Sequence, residues 1–400
     1  MAERSSLNQT VQIGVEATAG TAVWAGRRLQ SIGFEPSPSV EMDQFRPMGQ
    51  KYRALTTLGK EWTESSISGR GSYTELVYVL ASVVNTPVIT TPAGATDARL
   101  WTFTSDPTED DTPKTFTMEH GSDVRAARMS YSLITEFGMT FNRQSIEVSG
   151  SMMSRALTDG ITRSESRTVT DASITSGDAT LTSASATFVA ADVGKFLRIV
   201  GQAGFVDYTT ILSVTNGTTI EMADDATATA TGQSLEIGAI RVLDIQPIIP
   251  TQICVTMDTT FGALGTTKLT RLISAEFTLG NRFAGVWVLD CENPSFVNHI
   301  ESEPDLTLNM TLQADAQGMG LLNTLRSGDT RFVQIEAEGV NVESGYPHRF
   351  QLDMAVKVAD TNGFSDQDGV YAVEFSFVGV ADGGWGKAFE FQLTNGLLTL

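Results

Sequence analysis

One order of elements occurs twice in this chain, and that repeat limits the folds open to it more than any other feature. In the first stretch, RRLQSIGFEPSPSV is followed by a polar arm, then EWTESSISG, then a helical pattern in YTELVYVLASVV. TFTMEHG and a long hairpin, SYSLITEFGMTFNRQSIEVSGSMM, come next. In the second stretch, TRLISAEFTLGNRF leads through an arm to LTLNMTLQ and a helix around GLLNTLR. FVQIEAEG and the hairpin RFQLDMAVKVADTNGFSDQDGVYAVEFSFVGV then follow. Strand, long arm, strand, helix, strand, hairpin is the order in both. Such self-similarity predicts a duplicated supersecondary unit.

Local chemistry supports each element. Ser72 and Glu75 form a capping box ahead of Leu76, Val77 and Leu80, and Asn85 with Pro87 stops that helix. The second helix has Asp315 upstream and Gly328 as its C-cap. The hairpins alternate with period two. Phe350, Leu352, Met354, Val356 and Val358 share one face, and Gln351, Asp353, Ala355 and Lys357 the other. Tyr371, Val373, Phe375 and Phe377 likewise oppose Ala372, Glu374 and Ser376. In the first hairpin the polar face is expected to carry Ser130, Ser132 and Glu136, then Ser145, Glu147 and Ser149. One face should pack on a core and the other meet water.

The segment 163–238 differs from its flanks. It is rich in Ser, Thr and Ala, and its short alternating runs are broken by Gly and Asp. Asn216-Gly217, between TTILSV and TTIEMA, is a strong hairpin signal. The expected organisation is therefore 1–162, a first β-sandwich with an N-terminal arm; 163–238, an inserted small all-β domain; and 239–400, a second β-sandwich. The fold class is mainly β, with one helix flanking each sandwich.

Composition narrows the functions. Lys and Arg number 27 against 47 Asp and Glu, a net charge of −20. A chain this acidic does not wrap nucleic acid by neutralising phosphates. Charge is uneven: 1–162 carries 18 acids and 14 bases, net −4, and 239–400 carries 20 acids and 9 bases, net −11. No run approaches eighteen apolar residues, so no membrane-spanning helix is expected, and the start shows no signal-peptide core. Cys254 and Cys291 are expected to be free thiols serving as small hydrophobes in strands.

Catalytic signatures do not emerge. There is no phosphate-binding G-x-x-x-x-G-K-[ST] and no G-x-S-x-G elbow, and Gly318-x-Gly320 lacks a third glycine. His120, His299 and His348 are far apart, with no H-E-x-x-H or C-x-x-C. Asp360, Asn362, Asp366 and Asp368 crowd one hairpin loop, but Phe364 sits where a calcium ligand belongs, and a solvated turn is the better reading. No enzyme activity, cofactor or metal is expected.

The opening QIGVEATAGTAVWAGRRLQSIGFEPSPS and the later FRPMGQKYRALTTLGKEWTESSISGRGSYTELVYVL resemble the major tail tube protein of long-tailed bacteriophages. The shared habits are a G-V-E-x-x-x-G-T-A start, an R-P-x-G arm, and a K-E-W-T strand that leads into a Tyr-x-Glu-Leu helix; the likeness is best over 11–84. The inserted FVAADVGK and TTILSV resemble small β domains of phage tails and tailspikes. The resemblance implies a virion protein assembled in the host cytoplasm. Its sandwiches would form rings whose hairpins join into an inner β-barrel, and the stacked rings would conduct DNA without binding it specifically. It also implies tape measure and tail terminator proteins as partners, and no membrane.

On that reading Glu136, Glu147, Asp353 and Glu374 are candidates for the lumen wall, where carboxylates repel phosphate; an ordinary solvated outer face is the alternative. Arg46, Lys51, Arg53 and Lys60 make the first arm basic, while Glu292, Glu301, Glu303 and Asp305 make the second acidic. Opposite charges in equivalent arms suggest contacts between rings or subunits, unless the two loops are unrelated. Two sandwiches per chain would make the ring a trimer with pseudo-sixfold symmetry. An adhesion or carbohydrate-binding tail protein is the alternative function.

Overall fold

A computed structural model describes residues 9–200, 208–367 and 369–400. Asp368 of the acidic loop lies outside the described residues. Strands take 54% of the chain and helix 7%, and two compact units are distinguished.

The first unit gathers residues up to Gln30, Phe116–Tyr131 and Leu157–Leu243. In it Thr10–Val15 pairs antiparallel with both Phe116–Gly121 and Arg27–Leu29. Between 167 and 237 six strands close into a barrel. Its core is Ile174, Leu181, Phe188, Leu197, Ile211, Ile220 and Leu235. The Asn216-Gly217 turn lies between Thr209–Asn216 and Thr219–Met222, and Asn216 Oδ1 accepts the Thr218 N–H.

The second unit holds Ser31–Thr115, Ser132–Ala156 and Asp244–Leu400. Its main feature is an antiparallel sheet of β1 (Ile32–Phe45), β2 (Leu55–Arg70), β3 (Ala126–Phe141, from Ser132 onward), β4 (Ile146–Ser154), β5 (Leu272–Gly280), β6 (Asp305–Gln313), β7 (Tyr346–Thr361) and β8 (Val370–Gly379). Their spatial order is β1-β2-β4-β3-β5-β6-β8-β7. The strand β7 serves two layers. Its second half pairs with β8, while Arg349–Met354 pairs with Phe389–Asn395 on the same edge and with Arg331–Glu343 on the other. Between the layers Phe391 meets Phe137, Phe277 and Phe350 at ring separations of 6.3, 5.3 and 6.1 Å, and all four are fully buried.

Two helices complete this unit: α1 (Leu76–Val83) and α2 (Ala316–Ser327). Every residue of α1 is buried, as an all-round apolar helix requires. The capping box forms only in part. Ser72 Oγ accepts the Glu75 N–H, but the Glu75 carboxylate accepts the N–H groups of Ser31 and Ile32 instead. The start of β1 offers buried donors that would otherwise go unpaired. At the other end of α1, Arg282 Nε and Nη2 donate to the carbonyls of Val83 and Val84 at 2.9 and 3.1 Å. The same guanidinium binds Asp111 and Glu301, each at 2.6 Å, and it is fully buried. The second helix follows expectation: Asp315 Oδ1 accepts the Gly318 N–H, and Gly328 ends the helix at φ 68°.

The cysteines correct the sequence reading. Cys254 lies in the strand Ile253–Asp258, Cys291 lies in no strand, and both thiols are exposed.

Replacing Arg282 by Met leaves Asp111 buried without its counter-ion. We expect a loss of about 3–5 kcal/mol in denaturant unfolding. Adding Asp111→Asn and Glu301→Gln to that variant should recover a good part of it.

Candidate functional surface

The eight-strand sheet has an apolar face and a polar one. Phe34, Ile67, Val148, Met139, Phe277, Leu308, Met310 and Phe375 are buried on the first. The other can be read row by row from the register. One row runs Ser68, Ser149, Gly138, Thr278, Thr307, Val378, Lys357. The next runs Arg70, Glu147, Thr140, Glu276, Asn309, Ser376, Asp360. A shorter row carries Glu35, Ser66, Ser151 and Glu136, and Thr311 opposite Glu374 begins another. Directly opposed residues share a face, so this is one continuous surface of short hydroxylated side chains with interspersed carboxylates. Arg70 and Lys357 are its cations in these rows, and Arg70 lies 3.3 Å from Glu147 with both side chains more than half exposed. That pair adds little stability.

Glu136, Glu147 and Glu374 therefore share this surface. Glu136 and Glu147 are exposed, and Glu374 is half-buried and accepts a hydrogen bond from Asn362 Nδ2. Glu35 and Glu276 belong with them and were not picked out from sequence, and Asp360, read from sequence only as part of a solvated turn, joins them. Glu35 and Glu276 hold equivalent places in the register of β1 and β5, which the sequence pattern alone does not align.

Asp353 does not join them. It is 3% exposed, and Gln334 Nε2 and Gln351 Nε2 donate to its carboxylate. Here β7 runs between two strands, with Gln334 and Glu390 directly opposite Asp353 on either side. Burial, with the nearby charge of Glu390, pushes the Asp353 carboxyl above its ordinary range despite the two amide donors. Ser132 also departs from its expected face. A bulge between Ile134 and Glu136 shifts the alternation by one residue, and Ser132 is fully buried, accepting from Ser154 Oγ.

The arms are only partly as expected. Arg46, Lys51, Arg53 and Lys60 are exposed, as are Glu292 and Asp305. Glu303 is also exposed and its carbonyl accepts from Asn281. Glu301 corrects the reading: its carboxylate is held by Arg282 and by the Asp111 N–H. Within the chain the arms meet through rings and backbone rather than acid–base pairs. Trp62 packs edge-on to Trp287 at 5.7 Å, Lys60 lies 5.3 Å from the Trp287 ring centre, and Ser295 Oγ donates to the Glu61 carbonyl. Charge counting also missed that Met42, Phe45, Met48, Tyr52, Leu55 and Leu58 stand exposed along the first arm. No group of three or more His, Cys, Asp or Glu residues with metal-holding geometry occurs among the described residues.

Because the Asp353 proton is held more tightly in the folded chain than in the unfolded one, its contribution to stability is present below about pH 4 and is lost as pH rises through the raised folded value. Asp353→Asn should therefore gain thermal stability relative to the parent on going from pH 4 to pH 7. A melting-temperature difference that stays flat or reverses over that interval would refute the assignment.

No protein-family model matches the chain, and no curated protein matches its sequence.

Proposed function

We propose that this protein is the structural subunit of a phage tail tube, in which the polar face of the eight-strand sheet lines the conduit. The order β1-β2-β4-β3 followed by β5-β6-β8-β7 carries this reading. It is one four-strand set laid down twice. The two sets agree in register: Glu35, Ser66 and Ser151 occupy the places that Glu276, Asn309 and Ser376 occupy in the second. Bulges fall at equivalent points of β3 and β7. A further pair agrees: Thr10–Val15 on Phe116–Gly121 corresponds to Ile253–Asp258 on Arg331–Glu343.

The joint between the sets supplies a rule for the joint between chains. Inside the chain, Gly138 of β3 pairs with Thr278 of β5. The corresponding residues at the two ends of the sheet are Asn362 and Ser37. Among the described residues no strand pairs with the outer edge of β1, nor with the outer edge of β7 beyond Val356. Open edges of this length aggregate unless they are paired. Pairing each β7 end with the β1 of the next copy closes a ring of three chains with pseudo-sixfold symmetry.

The lining suits passage of DNA. Short hydroxyl side chains give little apolar surface for bases to stack on, and Glu35, Glu136, Glu147, Glu276 and Glu374 repel phosphate. Stacked rings would use the arms, and tape measure and terminator proteins would occupy the tube and its end.

Two experiments test this. In a Cys254→Ser, Cys291→Ser background, Ser37→Cys combined with Asn362→Cys should give oxidised species ending at a covalent trimer when the protein assembles. Ladders that end at six, or no cross-link in assembled material, would overturn the threefold joint. Tubes bearing Glu136→Lys, Glu147→Lys, Glu276→Lys and Glu374→Lys should retain a labelled oligonucleotide at low salt and release it as salt rises, whereas parent tubes should not retain it.

A further inference from the structure

Away from the sheet's polar face, an open cavity of about 560 Å³ is lined by Phe261, Phe332, Trp385, Asp329, Arg331 and Asp382, with Thr259 and Thr260 at its margin. We propose that it is a binding subsite for a neutral saccharide. Phe261 and Trp385 lie nearly parallel with ring centres 4.7 Å apart, and Phe332 is set edge-on to both at 6.2 Å. Phe261 is 40% exposed and Trp385 is half-buried, so the stack reaches the cavity rather than closing over a core. Aromatic side chains of this kind join an apolar face to polar neighbours. A sugar ring presents the complement: a face of C–H groups rimmed by hydroxyls that both donate and accept.

The polar groups fit that complement. Arg331 lines the cavity, and its Nη2 donates to Thr324 Oγ1 at 3.0 Å, which holds the guanidinium in place as a donor for ligand hydroxyl oxygens. Asp329 and Asp382 supply acceptors for sugar hydroxyls. Two carboxylates against one guanidinium disfavour an anionic ligand, so phosphates and uronic acids are excluded in favour of a neutral sugar. The platform is also fixed before binding. Asp382 Oδ1 accepts the N–H groups of both Gly384 and Trp385, the Gly386 N–H donates to the Asp382 carbonyl at 2.7 Å, and Gly386 takes φ 75°. That tight turn presents Trp385 in one position, which lowers the ordering cost of binding.

The inference is independent of the tube reading, because it concerns residues outside the sheet's rows. Its test is intrinsic fluorescence titration of the full chain with chitotriose and maltotriose, with trigalacturonate as the acidic control. Trp385 is one of five tryptophans, so each titration is repeated on Trp385→Leu and on Arg331→Gln, and the fold of each variant is checked by circular dichroism and melting. The expected result is a saturable emission change with a neutral trisaccharide, of millimolar dissociation constant or tighter. It should weaken at least tenfold in Arg331→Gln and vanish in Trp385→Leu, with no response to trigalacturonate. Absence of a saturable change with both neutral probes, equal binding by the variants, or preference for the acidic control would each overturn the proposal. Should a variant fail to fold, competition between the neutral and acidic trisaccharides on the parent chain decides the question.

Discussion

The buried guanidinium of Arg282 is the interaction on which the second unit depends. A helix as apolar as α1 can be buried whole only if its terminal carbonyls find donors inside the protein. Arg282 supplies them from the beginning of the second arm, a place reached because Asn281 adopts φ 53°, a conformation Asn tolerates better than most residues. The cost of burying the cation is met by two carboxylates, Asp111 and Glu301, which also tie down the loop after Arg99–Thr104 and the strand Asn298–Glu301. At the opposite end of the helix Glu75 binds the first N–H groups of β1, where a negative charge also suits the helix dipole. Both ends of one buried helix are therefore fastened to the beginnings of sheet elements. Arg has the planar fork this requires, and Lys has not.

That arrangement explains why the second arm departs from its expected role. Glu301 reads from sequence as one more exposed acid in an acidic loop. In the structure it belongs to the helix terminus, so fewer acids remain to face a neighbour. The first arm keeps its four cations in solvent, but the side chains that distinguish it are apolar, from Met42 to Leu58. A partner for that arm must therefore cover hydrophobic surface as well as match charge.

Much of the architecture was legible in the sequence because period-two alternation and repetition survive local noise. The hairpins, the two helices and the small barrel's Asn216-Gly217 turn follow from residue pattern alone. Glu136, Glu147 and Glu374 were placed correctly on a polar face for the same reason. What was not legible depended on contacts between distant segments. Asp353 keeps the right parity for the polar face, yet β7 leaves that sheet at its first half and enters a second layer, where parity no longer means exposure. Ser132 lies one bulge away from Glu136, and a bulge leaves no mark in the alternation until the partner strand is known. The partial capping box at Glu75 was a similar case: the motif was present, but β1 offered its carboxylate better donors.

The far ends of β3 and β7 differ in what lies beside them. The strands bulge alike and pair alike with β4 and β8. They differ where β3 has β5 alongside it: β3 continues as a regular strand to Phe141, whereas β7 breaks after Thr361 and pairing with β8 resumes over Ser365–Gln367. Beside the break, Asp360 Oδ1 accepts the Thr361 N–H, the Asn362 N–H donates to the Glu374 carbonyl, and Asp366 Oδ1 accepts the Gly369 N–H. The cluster of acids and amides read from sequence as a solvated turn therefore sits at a break in a strand whose outer edge has no partner strand among the described residues beyond Val356.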